Sequence, residues 1–198
     1  MRLLFIHAHP VPESFNTALC KAAVDAAGTA GHEVRLIDLH AEGFNPVIST
    51  EERRSYTEDA PVPADLQPHV QALKWAEGLI LVYPTWWYAQ PAILKGWMDR
   101  VWRPNIAFTL HEEGQRLRPG LANIRLIGVI TTFGSPWWFW TFLIGAPGRK
   151  IILRGLRFCT ARRTRTFWLG LHAIDDQTAA TRARFIVKVK ARIARIPL

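Results

Sequence analysis

With 198 residues, 49% of them hydrophobic, the chain can bury one full core as a single domain over 1–198, and no stretch, 136–145 included, approaches the roughly 18 uncharged apolar residues that span a bilayer. Cys20 and Cys159 lie far apart and outside any CxxC or Cys/His cluster, which argues against a zinc-type metal site and fits buried thiols in a reducing cytoplasm. Charge is lopsided: residues 1–100 hold 8 Lys+Arg against 12 Asp+Glu (−4), and 101–198 hold 17 against 4 (+13), so the second half either is simply solvated or attracts phosphorylated ligands, nucleic acid or an anionic membrane surface.

MRLLFIHAHP opens with an apolar run of about five residues that meets histidines and proline without a small-residue cleavage pattern, so a first strand, RLLFIHA, is expected rather than a signal peptide. His7 reads as a core histidine of that strand. HAHPVPESFN then leads into a helix over 16–30, with Ala18, Leu19, Ala22, Ala23 and Ala26 at helical spacing and Gly28 and Gly31 at its end. The free N–H groups of its first turn make an anion seat to which Ser14 and Asn16 add polar contacts; the same residues serve equally as an ordinary helix cap. HEVRLIDL is the second strand. Residues 40–63 form an excursion rich in Pro, Gly and charge, with Glu51, Glu52, Arg53 and Arg54 read as a solvated face. A helix over 65–77 presents Leu66, Val70, Leu73 and Ala76 before the third strand, EGLILVYP.

PTWWYAQPAILKGWMDRVW follows directly and raises the question of why so many flat rings stand at a strand end. Pro91 can open a helix whose Ile93, Leu94, Trp97, Met98 and Val101 share one face, which assigns Trp97 to the core. The preceding PTWWY offers backbone donors and acceptors beside broad ring surface, the combination that holds a flat heterocycle such as a flavin; an aromatic core turn is the alternative. Residues 103–120 form a second excursion, with a hairpin expected through FTLHEEGQRLRPG. After the fourth strand, IRLIGVITT, the segment TTFG offers two hydroxyls and backbone amides to a ring edge. Trp137, Trp138, Phe139 and Trp140 either roof that pocket or pack in a dimer interface.

LRFCTARRT, 156–164, is taken as the fifth strand, with Arg162, Arg163 and Arg165 at its carboxyl end either solvated or attracting the phosphates of NADPH or of an adenine-bearing flavin. A helix over 175–196 closes the chain, Asp175 and Asp176 at its start and Phe185, Ile186, Val189, Ile193 and Ile196 on one face, as a cover for the sheet rather than a membrane anchor. Alternating strands and helices imply an α/β fold: a flavodoxin-like, doubly wound, five-stranded parallel sheet of order 2-1-3-4-5, with ligands outside the carboxyl ends of its strands. Neither GxGxxG nor GxxxxGK[ST] occurs, which argues against a dinucleotide fingerprint or a P-loop.

HAHPVPESFN, DLHAEGFNPVIS, PTWWYAQPAILKGWMDRV and ITTFG together resemble the NAD(P)H:quinone oxidoreductase family of flavodoxin-like flavoproteins, which includes the potassium-efflux ancillary reductases and the drug-activity modulators. The resemblance implies a cytoplasmic homodimer with flavin phosphates near His9, Ser14, Phe15 and Asn16. It also implies an isoalloxazine between Pro84, Thr85, Trp86, Trp87 and Tyr88 on one side and Thr131, Thr132 and Gly134 on the other. FAD is the first expectation and FMN the second; NAD(P)H and then a quinone-like acceptor would use the same ring face in ping-pong fashion, with no metal and no nucleic acid. The mammalian-type members carry two glycines after the threonines, then a Tyr and a His that manage protons. Here Phe133 replaces a glycine, no tyrosine follows Tyr88, and no histidine lies between His111 and His172, so no catalytic residue is assigned. A second reading keeps the fold and flavin but makes the chain a regulatory subunit of a membrane potassium-efflux transporter, with little turnover of its own.

Overall fold

The computed structural model describes residues 1–56, 61–109 and 118–198. In chain order the elements are β1 (Arg2–His7), α1 (Phe15–Thr29), β2 (Glu33–Asp38), α2 (Thr50–Arg54), α3 (Gln67–Trp75), β3 (Gly78–Thr85) and α4 (Ala92–Val101). There follow β4 (Phe108–Thr109), β5 (Arg118–Pro119), β6 (Leu126–Phe133), α5 (Pro147–Lys150), β7 (Arg165–Leu171) and α6 (Ala179–Ala194). Five strands pair in parallel in the order β2-β1-β3-β6-β7, the expected 2-1-3-4-5 arrangement.

β3 and β6 are buried along nearly their whole length, which is why their sequences read as apolar runs rather than alternating patterns. Successive side chains leave opposite faces. Leu3, Phe5, Ile80 and Val82 meet Leu19 of α1 and Phe185 and Val189 of α6, whereas Leu4, Ile6, Leu79 and Leu81 meet Leu73 of α3 and Leu94 and Trp97 of α4. Trp97 is fully buried, as expected, and its indole N–H donates to His69 Nδ1 (3.4 Å). Arg100, also buried, ties the 40–65 excursion to α4: its guanidinium reaches Glu52 (2.9 Å), Asp65 (2.9 Å) and the carbonyl of Asn45 (2.8 Å). Glu52 is therefore no part of a solvated face. The short α2 turns it inward to meet a buried cation, as the more buried of the two carboxylates that offset that cation's desolvation cost.

Three expectations are corrected. The segment 156–164 is not a strand: Leu156–Cys159 forms a 3₁₀ turn, and the sheet resumes only at Arg165, paired with Leu126. β7 is an edge strand whose buried positions, Phe167 and Leu169, alternate with more open ones, although its sequence carries a short apolar run, FWLGL. Arg162 and Arg163 consequently precede the strand, at the end of the sheet away from the carboxyl tips, and cannot serve a ligand there. The closing helix begins at Ala179, with the Thr178 hydroxyl accepting from the Thr181 N–H (3.2 Å); Asp175 and Asp176 lie in a separate 3₁₀ turn, Ile174–Asp176. The expected hairpin is present at its two ends, where β4 and β5 pair antiparallel, and its connection lies outside the described residues.

Candidate functional site

The loops after β1, β3, β6 and β7 converge at the carboxyl ends of the strands. In the first, the Val11 N–H donates to His9 Nδ1 (3.0 Å), so a neutral His9 ring carries its proton on Nε2. Burial lowers the His9 pKa below the ordinary imidazole value and favours that neutral form, the one in which Nδ1 can accept from Val11. Ser14 caps α1, its Oγ accepting from the Thr17 N–H (3.1 Å) while the Thr17 hydroxyl donates to the Val11 carbonyl (3.1 Å). Phe15 packs against the inner core, with the Arg182 guanidinium 6.0 Å over its ring. Asn16 is the exception in this otherwise self-satisfied turn: it is 2% exposed, and neither atom of its side-chain amide has a partner among the described residues.

The second loop is a two-residue hairpin. Trp86 and Ala89 exchange backbone hydrogen bonds (3.2 and 3.1 Å) across Trp87 and Tyr88, which have φ values of 46° and 66°. A tight turn with both central residues left-handed ordinarily calls for Asn or Gly, so two bulky aromatics there store strain. Trp87 is 93% exposed, and its position returns little burial for that strain. Below the turn, the Gln90 side chain donates to the Tyr83 hydroxyl (3.4 Å) and the Gly148 carbonyl (3.1 Å), and the Trp140 indole N–H donates to the Tyr88 carbonyl (3.3 Å). The turn is thereby fixed from beneath by β3, α5 and the π-helical turn Phe139–Leu143.

The third loop starts where the hydroxyls of Thr85 and Thr131 hydrogen bond (2.8 Å), joining the tips of β3 and β6. Thr131 and Thr132 are buried, and Gly134 is exposed. Two adjoining clefts open here, sharing Thr85, Trp87 and Gly134. One, of about 380 Å³, runs between Pro84–Trp87 and Thr132, with Ile174 and Asp175 at its rim. The other, of about 280 Å³, continues past Tyr88 and Phe133 to Ser135. His9 connects the first loop to this space, its ring 6.3 Å from that of Trp86. The convergence therefore gathers Pro84, Thr85, Trp86, Trp87, Tyr88, Thr132 and Gly134 around the clefts, with Thr131 buried behind them. His9 stands beside them, and Ser14, Phe15 and Asn16 form the adjoining helix start.

The aromatic run divides. Trp140 is buried and stacks on Trp168 (5.6 Å, 21°) beneath Phe133, whereas Trp137 and Trp138 are more than half exposed. It supports the clefts from below and does not cover them. Phe133, standing where the mammalian-type members have glycine, turns its ring away from the surface onto His172 (4.0 Å, 5°). His172 thus lies behind the site, its pKa lowered by burial. Asp175, expected in the first turn of the closing helix, lies instead at the cleft rim; the signal in the sequence is the Thr178-to-Thr181 cap spacing, which places that helix start at Ala179, four residues later.

A family described as flavodoxin-like fold matches residues 1–193. The NAD(P)H dehydrogenase [quinone] 1 of Cavia porcellus is 33% identical over 154 residues, 68% of this chain and 54% of that protein. The chain spans little more than half the length of the curated relatives it matches first. The crystal structure of Smu.1420 from Streptococcus mutans superposes with a TM-score of 0.83 at 28% identity, covering 99% of this chain and all of that one. The NAD(P)H:quinone oxidoreductase from Methanothermobacter marburgensis reaches a TM-score of 0.85 at 23% identity, with 100% and 99% of the two chains covered, and so shares the fold. Sheet order, strand-end clefts and a match over nearly the whole length agree: the chain belongs to the flavodoxin-like fold family, in the group that includes the NAD(P)H quinone oxidoreductases.

Proposed function

We propose that the chain is a flavin-dependent NAD(P)H dehydrogenase that passes a hydride to a quinone or similar flat electrophile, donor and acceptor taking turns at one site. The observation that carries this reading is the joined cleft at the tips of β3 and β6, walled by tryptophan rings, with His9 of the preceding loop 6.3 Å from Trp86 and an unpaired, buried amide at the start of α1. Those are the requirements of a planar group with a phosphate tail, and the residues present fit it. A bound flavin supplies the hydride acceptance and delivery that no side chain here can perform. The protein supplies position and environment.

Asn16, His9 Nε2 and the free N–H groups of α1 hold the anionic tail, and Ser14 keeps that turn in register. Pro84, Thr85, Trp86, Trp87 and Tyr88 hold one side of the ring, and Thr132 and Gly134 the other, with Thr131 buried behind them and fixing Thr85. Among the described cleft-lining residues, Thr85, Tyr88, Thr132, Ser135 and Asp175 bear a hydroxyl or carboxyl group, so the proton accompanying the hydride passes through one of these or comes from water. FAD is preferred over FMN on the FNP segment, 44–46, and a cytoplasmic homodimer completes the reading.

Purified protein is expected to be yellow, with mass spectrometry of the released flavin deciding FAD or FMN, and to oxidise NADPH with benzoquinone in parallel double-reciprocal plots. A preparation that stays colourless after incubation with both flavins overturns the reading. Tight flavin retention with negligible turnover favours the transporter-subunit alternative instead.

A further inference from the structure

Trp87 and Tyr88 are both left-handed, a conformation that a bulky residue keeps only where its surroundings over-determine it. The two hydrogen bonds between Trp86 and Ala89 close the turn without choosing its hand, because a turn of the opposite hand closes in the same way. Paired strands beyond a turn can impose their twist on it, but the bridge between Trp86 and Ala89 is isolated. The hand must come from what lies beneath.

Gln90, the residue at the exit of the turn, is 8% exposed. Its amide donates to the Tyr83 hydroxyl, one residue before Pro84 opens the cleft wall, and to the Gly148 carbonyl, 58 residues further along the chain. Gly148 stands on α5, in the segment that continues from the opposite wall of the cleft, Phe133–Ser135. The fit there is close: a Cβ at Gly148 would lie 3.2 Å from the Tyr88 carbonyl oxygen and 3.3 Å from Ala89 Cα. The same Tyr88 carbonyl accepts from the Trp140 indole. Reversing the hand of the turn would swing that carbonyl away from Trp140 and pull the exit of the turn away from Gly148.

Packing alone does not call for an amide at position 90. Methionine would fill similar space with no polar group to desolvate. What the amide adds is direction, since its two donated bonds join β3, the end of the turn and α5. We propose that Gln90 is a positioning residue of the cleft: it holds Trp87 and Tyr88 left-handed and so keeps their rings as the wall against which a flat acceptor docks. The docking rests on the function proposed above; the hold on the turn does not.

Gln90→Met keeps the length of the side chain and removes both donors. A crystal structure of the flavin-free variant should show Trp87 and Tyr88 with negative φ. With flavin bound and NADPH as donor, the KM for benzoquinone should rise at least about tenfold while kcat changes less than about threefold, because the hydride chemistry belongs to the flavin. Where flavin is bound without turnover, the dissociation constant of benzoquinone should shift by the same factor. In a chain carrying Trp87→Gly and Tyr88→Gly the turn is left-handed unaided and has no rings to position, so adding Gln90→Met should move KM by less than about twofold. Positive φ retained at both residues, an unchanged KM beside an active wild type, or effects that simply add overturns the proposal. Should Gln90→Met alone not fold, the triple variant is expected to; if that fails as well, Gln90 serves the fold at large and the proposal falls. A wild type that takes up no flavin overturns the functional reading instead, and the crystal structure still decides whether Gln90 holds the turn.

Discussion

Asn16 stands at the first turn of α1 with both amide atoms buried and unpartnered, a state that costs roughly 1–3 kcal/mol per polar group if nothing fills it. Asn16→Leu keeps the branched side-chain shape and removes both polar atoms. The expected outcome is flavin affinity at least about tenfold weaker, some 1.4 kcal/mol, with the melting temperature of the flavin-free protein unchanged or raised. A lower melting temperature without flavin would mean that the protein itself uses the amide, and the assignment to a ligand would fail. Trp87 gives the complementary case. Its φ of 46° is unfavourable for a bulky residue, and at 93% exposure it has almost no burial to lose. Trp87→Gly should raise the melting temperature by about 2–4 °C, the equivalent of about 1 kcal/mol, while weakening flavin binding. These residues were legible because each lies in the loop or helix start that follows an apolar run, where such sheets place their ligands. The left-handed turn was not, since nothing in Trp-Trp-Tyr resembles the glycine or asparagine that announces one.

At the scale of elements, Gly96 shows how a local rule is overridden by packing. Alanine in place of glycine in a helix interior ordinarily stabilises by about 1 kcal/mol. In α4, however, a methyl at this position would overlap the carbonyl oxygen and ring of Pro46, so the glycine is what lets the 40–63 excursion lie against the helix. Gly96→Ala is therefore expected to destabilise by about 1–3 kcal/mol, read as a lower denaturant midpoint with an unchanged slope. A midpoint that rises would show that the excursion moves aside at little cost. The same competition explains which elements the sequence disclosed. β1, β3 and β6 are covered on both faces and read as strands from composition alone, whereas β7, at the edge, directly follows the basic 156–164, whose Leu156 and Phe158 mimic a strand's alternation. That segment keeps Leu156 and Cys159 against the core as a turn, so its apolar content was real and its geometry was not what periodicity suggested.

For the molecule as a whole, charge and burial combine into a pH dependence whose sign is fixed. His9, His32, His69 and His172 all have pKa values below the ordinary imidazole value, and in each the leading cause is burial, which penalises the charged ring. Between the folded and unfolded values the unfolded chain binds more protons, so the stability these groups contribute is complete above about pH 6.5 and is lost as pH falls through the folded values. Asp38 adds a second, more acidic loss. Burial alone would raise its pKa, but the hydrogen bond with His7 and the backbone N–H groups of Ala41 and His40 outweigh that and lower it, so its contribution disappears below about pH 4. The melting temperature should therefore fall from about pH 7 to pH 5 and again below about pH 4. The net charge of +9 pushes the same way, because each added proton meets a positive molecule. Salt separates the two causes: at about 0.5 M, repulsion between distant surface charges is largely screened, while desolvation of buried rings is not. A first limb that persists in high salt and shrinks in His172→Phe belongs to the buried histidines; one that vanishes in salt belongs to the positive surface, and burial is then not the governing term.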